Sequence, residues 1–217
     1  VVGWDAFVVS HTAEPVEVPD QGLVDAFMGP KLRPPAAVDF REPRAMGALA
    51  FPEDYPKFRE DMHKALLGAL SEFVALEREY ARATGREALG PLETFMCDDA
   101  EVILLLMGAA VGDAIEAANR LRERGIKVGV ARLRIFRPFP SRVIADVVSD
   151  ARRLVVLDRS YSLGRGGVVA LETMAALYEH GVRVPVVSYV EGLGGRDLPP
   201  ELFEKMLLKA AEEVGVA

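Results

Sequence analysis

Three stretches cluster glycine directly after an apolar run: Met107-Gly-Ala-Ala-Val-Gly112, Ser162-Leu-Gly-Arg-Gly-Gly167 and Glu191-Gly-Leu-Gly-Gly-Arg-Asp197. Free backbone N–H groups at such turns could hold a phosphate or carboxylate, with Arg165 or Arg196 supplying charge. None shows the Gly-x-Gly-x-x-Gly spacing of a dinucleotide site, and none ends in the Gly-Lys-Ser/Thr of a P-loop. Gly164, Gly166, Gly167, Gly194 and Gly195 are therefore read first as tight turns packed against a neighbouring domain, with an anion site as the alternative. A second group is Ser10, His11 and Thr12. His11 is the best single candidate for a functional histidine, but its neighbours are hydroxyls and not a carboxylate that would orient an imidazole, so a hydrogen-bonded structural histidine at a domain seam is expected. Asp158 ends an apolar run and could act as a base, but no Ser or Cys nucleophile with a paired His accompanies it. It reads as a cap or as an ion-pair partner of Arg159. His63 has no second His or carboxylate pair at ligand spacing, so no metal site is expected. Cys97 is the single cysteine; alone it makes no internal disulfide, no Cys-x-x-Cys redox pair and no iron–sulfur cluster.

The elements that must carry these residues follow from hydrophobic spacing. Val1 to Ser10 reads as a buried strand, and Glu14 to Asp20 as an extended arm, because each proline disfavours helix at the residue before it. Connecting loop continues through Gly29 to Pro35. From Tyr55 to Thr84 apolar residues recur every three or four positions, among them Phe58, Met62, Leu66, Phe73 and Tyr80, with Gly85 placed to stop the helix. Gly68 inside it costs about 1 kcal/mol relative to Ala, which suggests close approach by another element. Strands then alternate with helices: strands at Glu101–Met107, Lys127–Arg134, Leu154–Asp158 and Pro185–Val190, and helices at Val111–Arg124, Ser141–Asp150, Val168–His180 and Pro200–Glu213. Such alternation makes a mostly parallel sheet with helices on both faces, and it brings the three glycine-rich exits to one edge.

Composition bounds the function. The chain has 217 residues, half of them hydrophobic and 27% charged, with a formal charge of -7 and a pI near 5.1. Nucleic-acid binding is disfavoured, since it draws its affinity from clustered Lys and Arg on phosphates. The longest apolar run, Val102 to Gly112, stops well short of the roughly 20 residues that span a bilayer, so no membrane partner and a cytoplasmic location are expected. The chain opens on Val-Val-Gly-Trp, inside an apolar stretch, and further sequence upstream is expected. Asn119 is the only Asn, Gln21 the only Gln, and Arg outnumbers Lys 20 to 6. This is a hyperthermophile trend, though a GC-rich genome favours the same codons.

The sequence also resembles a known family. Trp4-Asp-Ala-Phe-Val-Val-Ser-His-Thr-Ala-Glu-Pro-Val-Glu-Val-Pro-Asp20 is similar to a segment of the alpha subunit of pyruvate:ferredoxin oxidoreductases. Arg44-Ala-Met-Gly-Ala-Leu49, Phe58-Arg-Glu-Asp-Met-His63, Leu133-Arg-Ile-Phe-Arg-Pro-Phe-Pro140, Leu157-Asp-Arg-Ser-Tyr-Ser-Leu-Gly-Arg-Gly-Gly167 and Gly192-Leu-Gly-Gly-Arg-Asp197 follow in the family's order. The resemblance implies that residues 1–91 are the tail of a pyrimidine-binding domain, a proline-rich arm and a long linker helix. It implies that residues 92–217 form a transketolase C-terminal-like, three-layer α/β domain. The sheet would have five mostly parallel strands, the extra one at Leu92–Met96 pairing antiparallel at an edge. The implied enzyme oxidatively decarboxylates a 2-oxo acid, in the first instance pyruvate, on thiamine diphosphate with Mg²⁺. It transfers the acyl group to coenzyme A and passes electrons through iron–sulfur clusters to ferredoxin. The family's motifs for the substrate arginine, the diphosphate and Mg²⁺, and the clusters are not matched in this chain. No catalytic, cofactor-binding or metal residue is carried over, and the segment alone is expected to be inactive, with the oxidoreductase's other subunits or domains as partners. The same motifs fit an oxidoreductase for branched-chain 2-oxo acids. A stand-alone α/β module binding a small anion is the rival reading.

Overall fold

The structure, a computed structural model, describes residues 1–6, 8–30, 38–43, 47 and 49–216. In chain order the elements are α1 (Gln21–Met28), α2 (Tyr55–Thr84), β1 (Leu92–Phe95), β2 (Val102–Leu106), α3 (Val111–Glu123), β3 (Val128–Leu133), α4 (Ser141–Val148), β4 (Arg153–Asp158), β5 (Tyr161–Ser162), β6 (Gly166–Gly167), α5 (Val168–Glu179), β7 (Val186–Val190) and α6 (Pro200–Glu213). They fall into two compact units, one of Val1–Glu14 with Leu89–Ala217 and one of Pro15–Ala88.

The first unit is built on a five-stranded sheet in the order β1-β3-β2-β4-β7. β2 pairs parallel with β3 and β4, β4 pairs parallel with β7, and β1 lies antiparallel on β3 with Leu92 opposite Leu133. This is the mostly parallel sheet with one antiparallel edge strand that the resemblance implies. β2 reads Val-Ile-Leu-Leu-Leu, all buried, because a central parallel strand is covered on both faces. Val102, Leu104 and Leu106 face the layer of α3 and α6, packing with Ala114, Leu121, Phe203 and Leu207. Ile103 and Leu105 face the layer of α4 and α5, packing with Ile144, Val148 and Leu177. Each such aliphatic side chain contributes about 2 kcal/mol on burial, so helices on both faces close a three-layer core. At Gly129 in β3 an added Cβ would lie 2.7 Å from the Met96 carbonyl oxygen, so the β1–β2 turn crosses there over bare backbone. Arg122 of α3 ties that turn to β3, donating to the carbonyls of Met96 (2.6 Å) and Val128 (2.7 Å).

The helix and strand spacing predicted for residues 101–213 matches these elements to within a few residues. Four expectations need correction or addition. Val1 to Ser10 is not a buried strand: Val1, Val2, Trp4, Val8 and Val9 are exposed. Among the described residues no strand lies beside the segment, and a strand without a neighbour has nothing to satisfy its backbone. The chain turns on itself instead, with Val8 N–H donating to Asp5 Oδ1 (3.1 Å) and Val9 N–H to the Asp5 carbonyl (3.2 Å). The glycine-rich exit of β4 holds a small antiparallel hairpin, β5 with β6. Gly68 has nothing within 4 Å of where a Cβ would stand, so the expected close approach is not found among the described residues. The proline-flanked arm leads into a helix, α1, which the proline signals concealed.

In the second unit, Gly29 N–H closes α1 on the Asp25 carbonyl, and Phe27 meets Tyr80 of α2 edge to face at 5.4 Å. Arg86 donates to the Glu17 carbonyl (2.7 Å). α2 runs 30 residues, ends on a left-handed Gly85 as expected, and buries none of its residues; His63 is exposed on it. No helix among the described residues is long and apolar enough to cross a membrane. Lys31 to Ala37, most of the Arg44–Leu49 motif and Phe7 lie outside the described residues.

Candidate functional site

Because β2, β4 and β7 run parallel, their glycine-rich exits do share the carboxyl edge of the sheet. They do not form one site there. Asp158, the last residue of β4, points toward α5, where its carboxylate accepts the N–H groups of Val169 (2.7 Å) and Ala170 (3.0 Å). It is 2% exposed. An acid at a helix N-terminus satisfies donors that have no intrahelical partner and meets the positive end of the helix dipole. Both oxygens are engaged, so the capping role holds and the base role does not. Gly167 is required beside it: an added Cβ would fall 2.1 Å from Asp158 Oδ2.

Arg159 follows on the opposite side of the sheet and pairs with Asp5, not with Asp158. Asp5 has a side chain only 6% exposed, and Arg159 also approaches the Gly192 carbonyl at 3.5 Å. Gly192 has φ +73°, a conformation that favours glycine, and a Cβ there would crowd Arg159 Nε at 3.0 Å. This pair fastens the amino-terminal turn to the exits of β4 and β7. It borders a cavity of about 320 Å³ whose walls include Asp113 at the start of α3, Arg196 and Asp197. The lining sets Asp5, Asp113 and Asp197 against Arg159 and Arg196, so it does not concentrate positive charge.

A second cavity of about 310 Å³ lies on the α5 side, lined by Tyr161, Arg165, Leu171, Met174, Ser188 and Val190 among others. Arg165 and Arg196 thus serve different recesses on opposite faces of the sheet. Gly164 (φ +80°) turns the β5–β6 hairpin, where Arg165 N–H donates to the Ser162 carbonyl (2.9 Å), and Gly166 continues it into Gly167. Gly194 (φ +64°) and Gly195 (φ +80°) shape a short 3-10 turn after β7. Ser10, His11 and Thr12 line neither cavity. Ser10 and Thr12 donate to the carbonyls of Ala6 and Val8, and His11 Nδ1 donates to Ala6. These groups stabilise a local turn, and all three residues are exposed.

Cys97 is buried near the Val130 carbonyl (Sγ to O 3.3 Å), and burial pushes its thiol up to about 11. A protonated, enclosed thiol does not suit a cluster ligand, which must be a thiolate. Among the described residues no group of three or more His, Cys, Asp or Glu could hold a metal ion. Cys97 as it stands here therefore does not fit an iron–sulfur cluster.

Residues 100–203 match the family described as pyruvate:ferredoxin oxidoreductase core domain II. Over this stretch the chain resembles that core domain. The matched stretch runs from β2 to the start of α6. The pyruvate synthase subunit PorA of Methanosarcina barkeri is 38% identical over 208 residues, covering 95% of this chain and 52% of that protein. The ketoisovalerate oxidoreductase subunit VorA of Pyrococcus horikoshii is 39% identical over 192 residues, covering 88% of this chain and 49% of that protein. The chain spans about half the length of the curated relatives it matches. A 2-oxoglutarate:ferredoxin oxidoreductase from Magnetococcus marinus, solved with 2-oxoglutarate, coenzyme A and succinyl-CoA bound, is similar at 17% identity and a TM-score of 0.43, over 55% of this chain and 19% of that one. Sequence reading missed the Asp5–Arg159 pair, which joins a residue outside the matched stretch to one within it. The two partners are 154 positions apart, and no local pattern links them.

Proposed function

We propose that this chain is the carboxyl-terminal part of the alpha subunit of a thiamine diphosphate-dependent 2-oxoacid:ferredoxin oxidoreductase, and that it serves assembly while reacting groups come from elsewhere in the enzyme. The observation that carries the reading is the 38% identity to a pyruvate synthase subunit across 95% of the chain. In this reading residues 1–91 are the tail of the pyrimidine-binding domain with its arm and linker helix, residues 92–217 are the α/β domain, and the enzyme is cytoplasmic. The three-carbon acid pyruvate is the substrate, coenzyme A the acyl acceptor and ferredoxin the electron acceptor.

The site's chemistry supports a structural role. Asp158 has both oxygens on α5, Cys97 is a protonated core thiol, and Arg159 is held by Asp5. Ser10, His11 and Thr12 and the glycine turns at 164–167 and 194–196 act as interface surface around the carboxyl edge. Thiamine diphosphate, Mg²⁺ and the clusters would be held by other chains or domains.

The comparable identity to a ketoisovalerate oxidoreductase subunit favours one second reading, the same subunit in an enzyme for branched-chain 2-oxo acids. Dye reduction with thiamine diphosphate and coenzyme A tests both. The complex isolated with this chain is expected to turn over pyruvate faster than 2-oxoisovalerate, and the chain alone neither. A reversed preference selects the second reading; turnover by the chain alone overturns the assembly role.

A further inference from the structure

We draw no further inference here: the strongest candidate, the surface patch of exposed Met174 and Tyr178 on α5 and exposed Tyr161 and Leu163 in the β5–β6 hairpin, with the cavity of about 310 Å³ that Met174 and Tyr161 line, carries nothing because nothing in the structure shows what covers it.

Discussion

Asp158 and Cys97 show how much of this chain's chemistry is committed to holding the fold. Asp158→Ala leaves the first N–H groups of α5 buried without an acceptor and is expected to cost about 3 kcal/mol in urea unfolding, with Asp158→Asn, which keeps one acceptor, costing about half. A loss under about 0.5 kcal/mol would show that the cap is dispensable. Cys97 gives a pH signature. Its thiol moves from an ordinary value of 9.0 up to about 11, chiefly through burial. The unfolded chain therefore releases this proton first as pH rises. Its effect is absent below pH ~8 and removes about 2 kcal/mol of stability as pH climbs from about 9 toward about 11. Comparing wild type with Cys97→Ala across that window isolates the effect, and the variant is expected to have the flatter alkaline limb. Residue-level legibility in the sequence was uneven for a geometric reason. Asp158 and Arg159 are adjacent, and pairing them is natural on paper, yet successive side chains of a strand point to opposite faces. One caps α5 while the other reaches Asp5 across the sheet edge.

Among the elements, the alternation from β2 to α6 was readable because each strand is a continuous apolar run and each helix keeps a three-to-four spacing. α1 was hidden by Pro15 and Pro19, which signal extended chain, although Leu23, Val24 and Phe27 have helical spacing and Gly29 ends it. The β5–β6 hairpin was hidden because two-residue strands containing Gly166 and Gly167 have almost no side chains to show periodicity. α2 was readable to the residue, but its role was not. It is amphipathic and buries nothing, so its apolar stripe, including Phe58, Met62 and Leu66, is a surface for the rest of the assembly in the proposed enzyme. Met62→Asp with Leu66→Asp is expected to leave the melting of the sheet unit within about 2 °C of the parent while reducing recovery of partner chains several-fold. Unchanged recovery would argue that α2 is not an assembly surface.

At the scale of the whole molecule, the mostly parallel five-stranded sheet and its antiparallel edge strand β1 follow the expectation that came with the family resemblance, and residues 100–203 match that family's core domain II. The site was less legible. Arg165 and Arg196 both follow strands that end at one edge, but the layer each exit turns toward decides which recess it enters, and that depends on packing between distant segments. The central claim is that this chain acts as one part of a larger oxidoreductase. It is tested most directly by purifying the native protein through a tag on this chain and weighing everything that accompanies it. Iron–sulfur and thiamine diphosphate-binding chains at fixed stoichiometry, or a single longer polypeptide containing this sequence, are the expected result. Recovery of this chain unaccompanied, at 23.6 kDa or as its own dimer, would contradict the account.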